Sequence, residues 1–232
     1  MINDRFPIES VDLDTYTLVR RGRQRNIYEL PDYPSVVLKT IQPERVDKHG
    51  NFPERGRLKN LRGYGAYFVF LREIAEYLRL RRIAYGKNLT SLPITAIYGF
   101  MNTNEGIGLI VERISDESGQ LAPTLRELVA SGGLTLKHER ALEAFQRTCK
   151  AMHVVFGDVH WENIVYTEAR TGEPEWVCID GFGEKSILPF HLLSKTLNAK
   201  KVDRVIERII RQATAGGTKA GLGKSSPSFA TE

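Results

Sequence analysis

The sequence predicts an α+β protein in two parts: a small antiparallel sheet carrying one helix, followed by a mainly helical half that contains a short hairpin. Three observations predict it. Alternating apolar segments separated by turn residues crowd the first 114 positions, an apolar recurrence of helical period interrupts them once, and a capped short helix and a longer one precede a loop and two short apolar runs in the second half. A chain of 232 residues with 41% hydrophobic and 26% charged residues is long enough to bury a substantial core.

In order, residues 1–14 are polar and read as a loosely held extension. Tyr16–Arg20, Asn26–Leu30 and Ser35–Ile41 read as a three-stranded meander, broken by Gly22 and by the turn signal Pro31-Asp32-Tyr33-Pro34. Residues 42–61 mix proline, glycine and charge and form an irregular connection. Ala66–Ile83 repeats apolar residues at Phe70, Ile74, Tyr77, Leu78 and Leu80, a helix with Glu73 and Glu76 as its acidic positions. Two strands follow, Ile94–Met101 and Gly106–Ile114, joined across Asn102–Glu105. Thr124, with Glu127 three residues on, caps a short helix through Ala130. A longer helix spans Leu136 to about Val154, then come the loop Val155–Asn163 and strands Ile164–Tyr166 and Glu175–Ile179. A last helix lies within Lys200–Gln212, and 213–232, rich in Gly, Ser, Thr, Ala and Lys, reads as a flexible tail. The domain expectation is thus an extension 1–14, a sheet-plus-helix lobe 15–114, a reduced helical lobe 115–212 and a tail 213–232.

Charge and cysteines limit the setting. The net charge is +5, but the runs Arg20-Arg21-Gly22-Arg23-Gln24-Arg25 and Arg79-Leu80-Arg81-Arg82 lack the interleaved aromatics that stack on bases, so no nucleic-acid partner is expected. Cys149 and Cys178 sit singly in apolar stretches with no metal-knuckle spacing. No secretory signal is visible and apolar runs such as Ala66–Leu71 are too short to span a bilayer, so a cytoplasmic protein without a transmembrane segment is expected. His49, His138, His153 and His191 share no ligand spacing. Thr218–Ser225 imitates a phosphate loop but lacks its first glycine and a preceding strand.

The chemistry concentrates in Gly157-Asp158-Val159-His160-Trp161-Glu162-Asn163-Ile164-Val165-Tyr166 and, a hairpin later, Val177-Cys178-Ile179-Asp180-Gly181. Phosphoryl transfer needs a carboxylate to orient the attacking hydroxyl and oxygen ligands to hold magnesium against phosphates. Asp158 stands where the first belongs; Asn163 and Asp180 supply an amide and a carboxylate oxygen for Mg2+. Taken alone an Asp–x4–Asn match can arise by chance as readily as by function. The apolar runs directly after Asn163 and directly before Asp180 supply the loop–strand–turn–strand context that chance does not. In the first half, Lys39 in Val36-Val37-Leu38-Lys39 is placed to grip the α- and β-phosphates of ATP, with Glu73 as its helix partner and Glu76 as the competitor. Gly22 and Arg23 open the expected phosphate-covering loop, and the stretch Glu112-Arg113-Ile114 offers backbone to the adenine edge.

The order of these segments resembles the protein-kinase-like superfamily. More closely, residues 18–200 resemble the YrbL family, described as PhoP regulatory network proteins. The likeness rests on Gly22-Arg23-Gln24-Arg25-Asn26-Ile27-Tyr28, Arg72-Glu73-Ile74, Thr124-Leu125-Arg126-Glu127, Asn163-Ile164-Val165, and Val177-Cys178-Ile179-Asp180 with Gly183-Glu184-Lys185-Ser186-Ile187-Leu188-Pro189. It implies a bilobal kinase-like fold with an ATP site. Two departures matter: Phe156-Gly157 precede Asp158 where protein kinases place His-Arg, and Asp180-Gly181-Phe182-Gly183 replaces Asp-Phe-Gly with no Ala-Pro-Glu after it. The sequence therefore leads to a kinase-like phosphotransferase acting on a hydroxylated acceptor, a small molecule or sugar before a protein. The alternative is a pseudokinase that binds nucleotide or regulates without transfer.

Overall fold

The computed structural model describes residues 10–53, 63–185 and 190–220. It divides the chain into two units: residues up to Ile74 with Ala96–Arg113, and Ala75–Thr95 with Ile114 onward. The expected boundary at 114 lies beside the observed one, but residues 75–95 group with the second unit.

The first unit is built on one antiparallel sheet of five strands, β1 (Leu18–Arg21), β2 (Arg25–Glu29), β3 (Val36–Ile41), β4 (Ile97–Thr103) and β5 (Gly106–Glu112), ordered β1-β2-β3-β5-β4. The fourth strand begins three residues later than its composition predicts, because Ile94 instead pairs with Cys178 in the second unit. Register sorts the side chains by face. Lys39 lies opposite Ile27 on one side and Leu109 on the other, while Leu38 lies opposite Tyr28 and Ile110. Leu38 is fully buried, and a Cβ on Gly108 would come within 2.6 Å of its Cδ1, so the strand beside it needs glycine there.

Tyr28, Leu30 and Leu38 form an apolar cluster with Leu13, against which Val11 and Tyr16 pack. For residues 11–14 this differs from the expected loose extension. Leu13 is buried, Val11 bridges Thr103, and the Leu13 N–H donates to Asn104 Oδ1 at 3.0 Å. Residues 1–9 lie outside the described residues.

Helix α1 (Phe68–Tyr85) places Phe70 and Glu73 in the interior of the first unit and Glu76 and Leu80 in that of the second. In the second unit, helices α2 (Leu125–Ser131), α3 (Leu136–Ala151), the single turn α4 (Phe190–Leu193) and α5 (Lys195–Ala220) accompany the hairpin β6 (Ile164–Thr167) and β7 (Glu175–Cys178). Its core joins Leu80, Leu125, Phe145, Phe156, Trp176 and Ile209.

Helix α2 starts as the sequence predicts. The Thr124 N–H donates to the Glu127 carboxylate at 2.7 Å and the Glu127 N–H donates to Thr124 Oγ1 at 3.2 Å, closing a capping box. Thr124→Ala is expected to cost about 1 kcal/mol, lowering the midpoint of thermal unfolding by roughly 2–4 °C; an unchanged melting curve would show the cap to be idle.

Helix α5 corrects two expectations, starting five residues earlier and running through Ala220 into the supposed tail. Its buried stripe Asn198, Val202, Ile206, Ile209 and Ala213 recurs at three- and four-residue spacing and carries the helix past Gln212. Residues 221–232 lie outside the described residues, and with them most of the imitated phosphate loop.

Candidate functional site

In the first unit, β3 presents Lys39 to a buried carboxylate on α1. Lys39 Nζ lies 3.7 Å from Glu73 Oε2, with the two side chains 5% and 0% exposed. The predicted pair is therefore brought together, but it is not alone. Arg25 Nη2 sits 2.6 Å from Glu73 Oε1, and its guanidinium stacks over Phe70 with 5.6 Å between Cζ and the ring centroid. Two cations thus flank one carboxylate with little water to screen them, which holds the Lys39 ammonium in a defined place. Arg25 opposes Ile41, two residues along from Lys39 and on the same face, so strand pairing is the signal that could have found it.

On the opposite face, Glu105 accepts hydrogen bonds from Tyr28 Oη at 2.7 Å, Asn26 Nδ2 at 3.1 Å and Thr40 Oγ1 at 2.5 Å. Burial first, and then the Glu105 carboxylate, push the Tyr28 hydroxyl up to about 12. The network clamps the β4–β5 turn onto β2 and β3.

The other nucleotide-contact candidates are placed differently from one another. Gly22 and Arg23 lie in the three-residue turn between β1 and β2, closed by the Gly22 N–H on Arg25 C=O at 2.8 Å and by Gln42 Nε2 on Gly22 C=O at 2.8 Å. A Cβ on Gly22 would meet only ordinary contact at 3.5 Å, so the turn does not require glycine. The Glu112 N–H donates to Ala96 C=O at 2.9 Å, and its carboxylate accepts the Ala96 N–H at 3.0 Å. The Glu112 side chain is thus engaged at the end of the sheet. Ile114, in the second unit, is buried and its C=O accepts the Ala122 N–H at 2.9 Å.

The second unit gathers Asp158, Asn163 and Asp180 around one glycine. The N–H groups of Gly157 and Asp158 both donate to the Gly181 carbonyl, at 2.8 and 2.7 Å. The Gly181 N–H donates to Asp180 Oδ1. Asn163 Nδ2 donates to the Asp158 carbonyl at 3.2 Å, which turns the amide oxygen to the other side, and the Asn163 carbonyl accepts the Ile179 N–H at 2.8 Å. Gly181 has φ +81°, and a Cβ there would fall 2.6 Å from the Asp158 carbonyl oxygen and 2.9 Å from Asn163 Nδ2. Only glycine lets the strands approach so closely. One amide and one carboxylate beside each other are hard oxygen donors suited to Mg2+ once phosphate oxygens and water complete the shell. Among the described residues no group of three or more His, Cys, Asp or Glu side chains forms a self-sufficient metal cage.

Several residues around this loop escaped the sequence reading. Lys185 Nζ lies 3.1 Å from Asp158 Oδ2, both side chains being more than half exposed. Glu76 is not a partner for Lys39. Its carboxylate takes Arg79 at 2.9 and 2.6 Å and accepts the Val155 N–H at 2.8 Å, anchoring the start of the loop. From α5, Asn198 Nδ2 donates to Val154 C=O at 2.9 Å and Arg208 Nη2 to Val159 C=O at 2.5 Å. The loop carrying Asp158 is thereby held at three points by side chains. His160, partly exposed, lies 3.8 Å from Glu162, and Trp161 packs on the core.

Cys149 and Cys178 are both buried free thiols, and burial raises Cys149 well above its ordinary range. Among the described residues no helix is long and apolar enough to cross a membrane. No curated protein matches the chain. A protein-family model does, over residues 11–214 of 232, under the description PhoP regulatory network protein YrbL. The chain belongs to the YrbL family of PhoP regulatory network proteins.

Proposed function

We propose that this protein is a kinase-like phosphotransferase of the protein-kinase-like superfamily, moving the γ-phosphoryl group of ATP to a hydroxyl acceptor with Mg2+. The observation that carries the reading is the hydrogen-bonded approach of the loop bearing Asp158 and Asn163 to Asp180-Gly181, which supports a base and two oxygen ligands acting together on locked backbone. What supports it in the first unit is the buried Lys39–Glu73–Arg25 group, an ion-paired lysine of the kind that grips nucleotide phosphates.

In this reading Asn163 and Asp180 would hold the magnesium ion, which would neutralise phosphate charge while ATP supplies the transferable group. Asp158 takes the acceptor's hydroxyl proton as the new oxygen–phosphorus bond forms and the bond to the β-phosphate's bridging oxygen breaks. Lys185, 3.1 Å from the Asp158 carboxylate, is a cation that would meet charge developing on the transferred phosphoryl group. Gly157 before Asp158, where protein kinases place arginine, favours a small molecule or sugar as acceptor over a protein. A pseudokinase is the second reading, favoured by the short Gly22–Gln24 turn, which offers little backbone to phosphates.

Thermal unfolding with ATP, with and without Mg2+, tests the site. The wild-type midpoint is expected to rise with MgATP well above its rise with ATP alone. Asp180→Ala is expected to erase the magnesium-dependent part. A variant that keeps the full magnesium response by calorimetry removes Asp180 from the metal site.

A further inference from the structure

The long C-terminal helix carries a second recurrence, on the side away from its buried stripe, that the proposed chemistry does not use. Phe190, Leu193 and Leu197 are 57%, 77% and 47% exposed, and they are followed at the same three- and four-residue spacing by the exposed cations Lys200 and Arg204 and, two turns further on, by Arg211. The helical ladder crosses the junction between α4 and α5, since the Ser194 N–H donates to Phe190 C=O and the Asn198 N–H to Ser194 C=O, each at 3.0 Å. All six side chains therefore lie on one stripe of a nearly continuous helix, apolar at its first turns and cationic beyond.

The acids of this helix do not neutralise the stripe. Asp203 is turned aside to Lys150, at 2.8 and 3.1 Å, and Gln146, leaving Glu207 as the one exposed carboxylate along it. Arg208 falls on the stripe but spends a hydrogen bond on the Val159 carbonyl.

We propose that this stripe is a docking surface for an anionic phospholipid membrane, the three apolar side chains entering the interface while the cations meet headgroup phosphates. Charge and shape choose this occupant. From Phe190 to Arg211 the stripe is roughly 30 Å long at helical rise, and a straight line of that length matches a plane better than a folded partner's curved surface. Nucleic acid would satisfy the cations but give Leu193 and Leu197 nothing to contact. A lipid interface takes both parts at once. The inference stands apart from the phosphotransfer reading and uses none of its residues.

Co-sedimentation of the full chain with vesicles tests it. Binding is expected to vesicles of phosphatidylcholine mixed with phosphatidylglycerol, not to phosphatidylcholine alone, and to weaken as sodium chloride is raised. Leu193→Asp with Leu197→Asp, and separately Lys200→Glu with Arg204→Glu, are each expected to weaken it about tenfold or more. Circular dichroism and the melting midpoint of both doubly substituted proteins should match wild type. Absence of vesicle binding overturns the proposal. So does binding that the leucine substitutions leave intact, particularly if a single-stranded oligonucleotide binds and is lost with the charge reversals, which would make the stripe a nucleic-acid face. A dimer by light scattering that Leu193→Asp dissociates, without vesicle binding, would assign the stripe to a second copy and overturn it equally.

Discussion

Asp158→Asn is expected to slow ATP turnover by about 10²–10⁴-fold, the scale of a lost general base, with the affinity for MgATP nearly unchanged. The amide is nearly the same shape as the carboxylate, so the backbone bonds that hold this residue to Gly181 survive. What goes is the proton acceptor and the partner of Lys185. Because the pair is well exposed, its rupture has little consequence for folding, and the melting midpoint should stay close to that of wild type. Turnover is measured with water as acceptor and then across hydroxylated small molecules, with binding followed by calorimetry. Equal turnover in both proteins would take the base role from Asp158. Loss of MgATP binding in the variant would instead place Asp158 among the metal ligands. If wild type binds MgATP and neither protein turns it over with any acceptor, the pseudokinase reading gains the ground.

The contrast between what was and was not legible in the sequence follows contact distance along the chain. The strands of the first unit, the Thr124–Glu127 box and the β6–β7 hairpin are written in alternation, capping residues and turn chemistry, all within a few positions of one another. Lys39 and Glu73 could be paired because one strand and one helix offered few charged candidates. Glu76 was ambiguous for the same reason: three residues from Glu73 on one helix, it differs only in what lies beyond, and its partner Val155 is 79 positions away. Lys185, Asn198 and Arg208 reach back 27, 44 and 49 positions to the loop, and no local pattern marks an ordinary lysine, asparagine or arginine as doing so. The length of α5 was lost to composition. Gly216-Gly217 lowers helix propensity by about 1 kcal/mol per glycine, yet the packing of Ile209 and Ala213 sustains the preceding turns and the helix propagates through.

Gly181→Ala is expected to be the most damaging single-methyl change in the second unit, costing about 2–4 kcal/mol from backbone strain and overpacking together. The φ of +81° is one part of the cost. The other is the clash, since the new methyl would meet the Asp158 carbonyl carbon at 2.8 Å and its oxygen at 2.6 Å. Neither side yields easily, because the Gly181 carbonyl is pinned by two N–H groups of the opposing loop and its own N–H by Asp180. Gly172 separates the two contributions: its φ is +80°, and a methyl there meets nothing within 4 Å. Gly172→Ala should therefore show the strain alone, about 1 kcal/mol, and leave magnesium-dependent nucleotide binding untouched. Gly181→Ala should lower the melting midpoint by roughly 5–15 °C and remove that binding, because the backbone that carries Asp158, Asn163 and Asp180 must spread to admit the methyl. Equal losses at the two glycines would mean that the loop moves aside at little cost, and the close approach that holds the three groups together would then not be what assembles the site.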